Sequence, residues 1–322
     1  MLELKPSRRI VLAGGLAGLM SACAPRLPAT FFGPSGSPIG LQLYSVAKEA
    51  SADLDGTLAA IAAIGYRTVE IAGYVGKTPR DLRAALDRAG LRCASAHVPG
   101  KPFRPAPRTL DDDPAVLAEE AHILGFDTVI MPLFVTPERL PIVLNPGDDV
   151  RRVVSAVVAQ MRQDDWLAMA DYMNAKGAAL QKFGLKFGFH NHGTEFGPVQ
   201  GGEGSIMELL IANTDPALVS FQLDCGWAVS AGIDPAAFIK KHEGRIRALH
   251  LKDVAATNVP NLESRMDPAE IGKGVTDWRA LLAAARKAGI ENYFVEQEAP
   301  YLRPVLDTLR DNFNYLSAVA AA

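Results

Sequence analysis

Short apolar runs alternate with longer segments of helical periodicity from about residue 39 to the end of the chain. Each run has the length of a buried strand, and apolar residues recur every three or four positions in the segment that follows it. The eight runs are residues 39–43, 68–71, 92–96, 128–131, 185–189, 218–223, 246–249 and 293–295. Eight alternating strand and helix units without a hairpin signal predict an α/β fold, a single (β/α)8 barrel of parallel strands.

Helical patterns occupy the segments between the predicted strands, and several of them stop at a glycine. Clear examples are residues 54–64, 79–89, 114–124 and 278–288, which stop at Gly65, Gly90, Gly125 and Gly289. Glycine readily adopts the left-handed conformation that ends a helix. Its repeated position just before the next strand therefore supports the barrel.

The unit after the fourth predicted strand is longer than the others. Residues 133–149 form a proline-rich loop, and the helical pattern over 150–183 is unusually long. Loops on this side of a barrel shape access to the site, so we interpret the loop as a lid or an oligomer contact. A solvated insertion without a role is the alternative, and a homo-oligomer stays open.

Length and charge narrow the classes of partner. The chain has 322 residues, 48% hydrophobic and 21% charged, which is enough material for one large core. Its net charge of -3 and isoelectric point near 6.1 provide no attraction for a polyanion. No nucleic-acid partner is expected.

The first 23 residues have the pattern of a cleaved export signal. Ser7, Arg8 and Arg9 precede an apolar run over 10–20, which is shorter than the ~20 residues of a membrane-spanning helix. The arginine pair resembles a twin-arginine signal, and residues 19–23 resemble a lipobox in which Cys23 is lipidated. A chance Ser-Arg-Arg sequence is the alternative.

This signal predicts the organisation and location of the chain. Residues 24–38, rich in Pro, Gly and Ser, would form a flexible linker, and residues 39–322 the catalytic barrel. We expect an exported, periplasmic lipoprotein that meets the membrane only through an N-terminal lipid anchor. The remaining cysteines, Cys93 and Cys225, lie on or beside predicted core strands, so we expect buried thiols and no disulfide.

Four side chains of the types that bind metals fall at the ends of the last four predicted strands. They are His190, Asp224, His250 and Glu296. Because the C-terminal ends of parallel strands meet at one mouth of a barrel, these residues are expected to converge there. Mg, Mn, Co and Zn ions accept carboxylate and imidazole ligands together, so we predict a divalent-metal site. Salt bridges from the acids to Lys252 or Arg245 are the alternative.

An ordered set of motifs resembles the xylose-isomerase-like barrels that include sugar phosphate isomerases and epimerases. The motifs are GLQLY (40–44), VEI (69–71), His97, FHNH (189–192) with EF (195–196), LD (223–224) with GW (226–227), HLKD (250–253), GKG (272–274) with DW (277–278), and VEQ (295–297). The resemblance covers residues from about 39 to the C-terminus.

The resemblance implies a metal held by Glu, Asp, His and Glu from strands five to eight, with the substrate's carbonyl and neighbouring hydroxyl completing its shell. Asp224, His250 and Glu296 match the last three positions, whereas His190 stands where the first glutamate is expected. Epimerases of the family use the two glutamates on opposite faces of the sugar to remove and return a proton. The histidine therefore favours a dehydratase or lyase, which needs one base and one acid.

The expected chemistry is removal of a proton α to a carbonyl, with a metal stabilising the resulting enediolate. His190 or His192 would remove or relay that proton, since imidazole titrates near neutral pH and strand alternation places both on one side. Glu296 is the other catalytic candidate. Candidates for substrate binding are Glu195 and Lys252 at sugar hydroxyls, Trp227 as an apolar platform, and Glu70, His97 and Glu270.

The predicted export from the cytoplasm changes which substrate is expected, compared with the sugar phosphates that the resemblance suggests. Sugar phosphates are mainly cytoplasmic, so the expected substrate is an unphosphorylated keto-sugar, of the 3-keto-glycoside or inosose type. A true isomerase or epimerase is the first alternative, and a non-catalytic carbohydrate-binding lipoprotein is the second. A related barrel that cleaves phosphodiesters at damaged DNA would need more His and acidic ligands and a basic face, neither of which is apparent.

Overall fold

The computed structural model describes residues 31–32, 36–101 and 106–321. The predicted export signal, including Arg8, Arg9 and the lipidation site Cys23, lies outside the described residues. Within the described part, no helix combines the length and the apolar composition needed to cross a membrane.

Eight parallel strands close into a barrel, which confirms the predicted fold. Neighbours along the chain pair with each other, and the first strand closes the barrel by pairing with the eighth through Ile39 and Tyr293. In chain order the strands are Ile39–Gln42, Thr68–Ile71, Arg92–His97, Thr128–Met131, Lys186–His190, Ser220–Asp224, Ile246–Leu251 and Asn292–Val295. The predicted strands agree with these to within a few residues at each end.

Helices surround the barrel and pack on it with their apolar faces. They are Ala47–Ala52, Leu54–Ile64, Pro79–Ala89, Pro114–Leu124, Val150–Val158, Gln163–Gln181, Ile206–Asn213, Cys225–Ser230, Pro235–Lys241, Trp278–Lys287 and Val305–Ala321, with short 3-10 helices at Leu43–Val46 and Thr194–Phe196. Gly90 and Gly125 end their helices at φ 68° and 83°, the left-handed conformation predicted for them. Strands and helices thus share one continuous core.

The single long helix predicted over residues 150–183 is wrong: two helices, Val150–Val158 and Gln163–Gln181, occupy that stretch. The carboxylate of Asp165 accepts a hydrogen bond from the backbone N–H of Arg162 at 2.8 Å, which starts a new helix there. The backbone N–H of Gln163 also donates to the carbonyl of Gln200 at 3.2 Å, so the break is tied to the loop after the fifth strand.

Two smaller features lie outside the predicted pattern. A two-stranded antiparallel ribbon, Asp253–Val254 with Pro268–Ala269, follows the seventh strand. Phe31 and Phe32, in the segment predicted as a linker, are buried against Tyr293, with ring centroids 5.5 and 5.3 Å from its ring. These edge-to-face contacts cover the beginning of the eighth strand.

Candidate functional site

The four predicted metal-binding residues converge at the C-terminal mouth of the barrel, and all four are buried. Asp224, His250 and Glu296 each offer one donor atom within 4.8 Å of the others. Asp224 Oδ2 lies 3.7 Å from His250 Nδ1 and 3.8 Å from His190 Nε2. The parallel strands therefore bring together residues that are far apart in the chain, as the barrel requires.

Hydrogen bonds on the far side of each imidazole orient the two histidines. His250 Nε2 lies 2.6 Å from Glu70 Oε1, and His190 Nδ1 lies 3.0 Å from Gln222 Oε1. These contacts leave His190 Nε2 and His250 Nδ1 facing Asp224, and His250 Nδ1 also contacts Glu296 Oε2. Metal-binding histidines are commonly held in this way by a carboxylate or carbonyl oxygen.

Asp224 uses its two carboxylate oxygens differently. Oδ1 accepts a hydrogen bond from the N–H of Trp227 at 2.9 Å and so caps the helix Cys225–Ser230. Among the described residues Oδ2 makes no hydrogen bond and is held by charge, between His250 Nδ1 and the ammonium of Lys252. His250 Nδ1 in turn contacts Glu296 Oε2. Atoms of two carboxylates and an imidazole thus converge on one buried point, an arrangement that suits a bound cation.

A buried lysine supplies positive charge beside this position. Lys252 Nζ lies 2.9 Å from Asp224 Oδ2, at an angle that does not make a hydrogen bond, 3.2 Å from Glu296 Oε2 and 2.9 Å from Glu298 Oε1. Burial alone would lower the pKa of Lys252, but the carboxylates around it hold that pKa well above its usual range. The salt bridges considered from the sequence are thus present at Lys252. Arg245 instead donates to Thr214 Oγ1 at 2.7 Å.

Burial and neighbouring charges shift the pKa values of the metal-binding residues. Burial disfavours an imidazolium at His250, yet Glu296 and Glu70 raise its pKa to about 10. Burial works to raise the pKa of Glu296, whereas Lys252 and His250 hold it well below its usual range. Burial lowers the pKa of His190 well below its ordinary value. Metal binding requires a neutral imidazole, so a cation here would take the place of a proton on His250.

These donors fit a divalent metal. Two imidazoles and two carboxylates, all buried, form a set that Zn, Mn, Co or Mg accepts, and hydrogen bonds hold the outer atoms of His190, Asp224 and His250. His190, Asp224, His250 and Glu296 are the residues that would hold it, in agreement with the sequence prediction.

Glu70 lies beneath this group and does not line the cavity at the mouth. Its side chain is fully buried and accepts hydrogen bonds from Gln42 at 2.8 Å, Ser95 at 2.6 Å and Gln222 at 2.8 Å. Burial would raise the pKa of Glu70, but His97 and His250 hold it well below its usual range. Its carboxylate therefore orients the histidines above it. This position differs from the contact with substrate that was predicted for Glu70.

The side chains that hydrogen-bond to Glu70, which are Gln42, Ser95 and Gln222, were not predicted from the sequence. Gln222 and Asp224 share one face of the sixth strand because side chains alternate along a strand. Gln222 stands two residues before the predicted ligand Asp224 in a mainly apolar strand, and this position could have indicated that Gln222 belongs to the site. Gln42 stands within the GLQLY motif, and Ser95 has no comparable signal in the sequence.

A cavity of about 690 Å³ opens at the mouth, directly over the metal-binding group. Its wall includes six of the predicted site residues: His97, His190, His192, Trp227, Lys252 and Glu296. Residues 132–134 and 149–151, with Val154, reach it from the long unit after the fourth strand, so both ends of the predicted lid loop border the cavity.

His192 and Trp227 stand side by side in the cavity wall, with ring centroids 5.8 Å apart. His192 Nδ1 and Trp227 Nε1 are both buried without a hydrogen-bond partner. Lys252 Nζ lies 5.2 Å from the centroid of the Trp227 ring. Burial, and then Lys252, lower the pKa of His192 to about 3, so its imidazole is neutral at physiological pH. His192 and Trp227 thus give this part of the cavity wall two adjacent aromatic rings.

Glu195 and Glu270, both predicted to bind substrate, lie away from the cavity wall. Glu195 Oε2 accepts from the N–H of His192 at 3.0 Å and from Thr194 Oγ1 at 2.8 Å, which fixes the loop that carries His192. Burial raises the pKa of Glu195 to about 7. Glu270 pairs with Arg303 at 2.6 Å, and this partner lowers its pKa to about 2.

Comparison with known proteins finds inosose dehydratases among the relatives of this chain. The chain is 27% identical over 264 residues to the inosose dehydratase of Geobacillus thermodenitrificans, covering 73% of this chain and 82% of that protein. It is 26% identical over 208 residues to the inosose dehydratase of Geobacillus kaustophilus, where the match spans 62% of each chain, less than two thirds of that relative's length.

A solved structure of similar architecture is a sugar phosphate isomerase/epimerase from Parabacteroides distasonis. It superimposes with a TM-score of 0.68 at 25% identity and covers 87% of this chain and 97% of that one. Residues 58–319 match the profile of the family described as Xylose isomerase-like TIM barrel. The resemblance inferred from the strand-end motifs is therefore confirmed, and the chain belongs to the xylose isomerase-like TIM barrel family.

Proposed function

We propose that this protein is a divalent-metal-dependent enzyme that removes a proton α to the carbonyl of an unphosphorylated keto-sugar. We favour a lyase or dehydratase, in which loss of a β-substituent follows. The observation that carries the proposal is the buried group of His190, Asp224, His250 and Glu296 at the barrel mouth. Two of its members, His190 and Glu296, line a sugar-sized cavity together with the neutral imidazole of His192. The inosose dehydratase relatives support it.

When bound, a divalent cation polarises a substrate carbonyl and stabilises the negative charge that develops there. His192, whose neutral imidazole borders the cavity, is placed to accept the α-proton. The imidazolium formed then returns the proton to the departing oxygen. The α C–H bond and the β C–O bond break, a carbon–carbon double bond forms, and the leaving group takes the proton.

Lys252 and Trp227 would hold the substrate during these steps. The ammonium of Lys252, fixed by Glu298 at 2.9 Å, offers positive charge near a developing oxyanion. Its raised pKa keeps it charged, so we assign it an electrostatic role and not proton transfer. Trp227 presents an apolar ring to one face of the sugar.

A true isomerase or epimerase is the runner-up. Glu296 lines the cavity together with His192, so a carboxylate and an imidazole could act on two faces of one carbon. The similarity to a sugar phosphate isomerase/epimerase supports this alternative. A carbohydrate-binding lipoprotein without catalysis is the alternative of another class. We also propose the exported, lipid-anchored location, because residues 7–9 and 19–23 carry both signals.

The test combines metal analysis with proton exchange. The purified protein is expected to hold a divalent metal, and in D2O to replace the α-proton of a 3-keto-glycoside or an inosose while releasing the β-substituent, both visible by NMR. Exchange with formation of an epimer and no release would support the epimerase. Sugar binding without metal and without exchange would support the binding protein and contradict the proposal.

A further inference from the structure

The cavity has two chemically different halves. The groups proposed to act on the substrate's reacting end, such as His190, Lys252 and Glu296, lie at the ends of strands five to eight. The wall over the first four strands carries His97, Arg108, Asp149 and Arg151 at its edges, but six of its side chains form an apolar and aromatic surface: Tyr44, Tyr74, Val98, Phe134, Val150 and Val154. We refer to these six residues as the apolar wall. A ligand bound to the polar half by its reacting group would extend across this wall.

Hydrogen bonds hold part of the apolar wall in place. The hydroxyl of Tyr74 donates to Glu120 Oε2 at 2.6 Å. Arg108, which also borders the cavity, donates to both oxygens of Glu120 at 2.8 Å. Because Glu120 neutralises Arg108, this side of the cavity does not present that guanidinium as a free anion-binding group. A preorganised aromatic surface loses little entropy when a ligand packs on it.

The helix that begins after the long loop completes the apolar wall. Val150 and Val154 are four positions apart in the helix Val150–Val158 and so lie on one face. Both border the cavity, whereas Val153 of the same helix does not. Charges at this end are balanced, since Asp149 and Arg151 both reach the cavity edge. The surface therefore favours an apolar group over a phosphate or a carboxylate.

The cavity is larger than the polar half requires. Its volume of about 690 Å³ falls within the range of about 300–1,000 Å³ typical of sites for drug-sized ligands. A single sugar ring over the metal-binding group leaves the half over strands one to four unfilled.

We propose that the apolar wall is a second subsite, which binds an apolar, ring-shaped substituent of the sugar such as an aromatic aglycone. The inference rests on the proposed function and narrows its substrate to a keto-glycoside, as opposed to a bare keto-inositol. In a 3-keto-glycoside the aglycone is β to the ketone. Elimination breaks the C2–H and C1–O bonds, forms the C1–C2 double bond and releases the aglycone as an alcohol or phenol carrying the returned proton.

Binding of glycosides that lack a ketone tests the subsite without any chemistry. Calorimetry on the metal-loaded protein compares phenyl with methyl β-D-glucosides and β-D-galactosides. Burial of the phenyl ring on the apolar wall is expected to make the phenyl glycoside bind about tenfold tighter or more. Val154→Gln should reduce this preference to about twofold, while the matched control Val153→Gln keeps it. Tyr44→Ser, at a side chain that is 56% exposed and not needed for packing, should also reduce it.

Equal affinities for the phenyl and methyl glycosides, or binding of neither, would overturn the subsite. A preference that survives both Val154→Gln and Tyr44→Ser would also overturn it, because the phenyl group would then bind elsewhere. Failure of the proposed function has a different signature. A phenyl preference that depends on the apolar wall, without proton exchange on any keto-sugar, would leave the subsite standing and remove the lyase.

Discussion

His250 Nε2 lies 2.6 Å from Glu70 Oε1 although 180 residues separate the two in the chain. This contact joins the second and seventh strands across the barrel and turns Nδ1 of His250 towards Asp224 and Glu296. The same carboxylate also lies 2.9 Å from His97 Nε2. Glu70 thus holds two imidazoles from below, and the orientation of the metal-binding group depends on it.

Glu70→Gln is expected to weaken metal affinity by about 10–100-fold, the usual effect of removing a partner behind a metal-binding histidine. The amide would place a donor among the N–H groups of Gln42, Gln222 and His250 that now converge on the carboxylate. Competition with a fluorescent chelator measures the affinity. Glu119→Gln, at an exposed glutamate, is the control and should leave it unchanged. Equal affinities in the two variants would contradict the role of Glu70.

Asp224→Asn is expected to reduce bound metal by at least about tenfold while the fold persists. The amide oxygen can still accept from the N–H of Trp227 and cap the following helix, whereas the charge that faces His250 is lost. Elemental analysis of the purified protein measures the metal. Asp234→Asn is the matched control, because Asp234 caps the helix Pro235–Lys241 in the same manner without belonging to the site. A full complement of metal in Asp224→Asn would exclude this ligand.

His190→Glu is expected to keep the metal, since carboxylate and imidazole both bind such cations. It should lower elimination by ~100-fold or more if the imidazole serves as acid or base. NMR of the reaction in D2O separates release of the β-substituent from formation of an epimer. Clean epimerisation by the wild-type protein, with no eliminated product, would show that the histidine does not decide the type of reaction.

Glu195→Gln is expected to remove a pH dependence of folding stability. Burial raises the pKa of Glu195 from 4.5 to about 7, so the folded state binds the proton more tightly than the unfolded state. The contribution of this group to wild-type stability therefore falls as pH rises from about 4.5 to about 7, by at most about 3 kcal/mol. Urea unfolding at about pH 5 and about pH 8 measures it.

The control for this pH dependence is the exposed Glu119→Gln variant, which should follow the wild type. The free energy of unfolding of Glu195→Gln, taken relative to wild type, should rise between the two pH values because only the wild type buries a charge at the higher one. A constant difference between them would show that Glu195 is not protonated preferentially in the folded protein.

Arg8→Lys with Arg9→Lys is expected to hold the precursor in the cytoplasm, because the twin-arginine pathway reads the arginine pair. Cys23→Ala should block lipid attachment and leave an exported form without its anchor. Cell fractionation and labelling with a radioactive fatty acid measure the two effects. Wild-type protein that carries no lipid label, and a lysine variant that fractionates as the wild type does, would together refute the export proposal.

The order of strands, the bounds of four helices (54–64, 79–89, 114–124 and 278–287) and the ends of four strands were predictable from local pattern alone. The alternation of short apolar runs and glycine-terminated helices allows a parallel barrel, and strand geometry then places His190, Asp224, His250 and Glu296 at one mouth. The break at residues 159–162 was not predictable, because periodicity continues across it and a side-chain cap at Asp165 decides where the new helix begins.

The sequence by itself determined the barrel, its family and the chemical types of side chain at its mouth, because these depend on periodicity and on residue order. Tertiary structure decided which atoms of His190, Asp224 and His250 are hydrogen-bonded and which face the centre of the site. It placed Glu70 beneath the histidines, and Lys252 among three carboxylates. It also gave the cavity an apolar half over strands one to four. Such contacts join strands and loops across the barrel, and their distances are set only when the sheet closes.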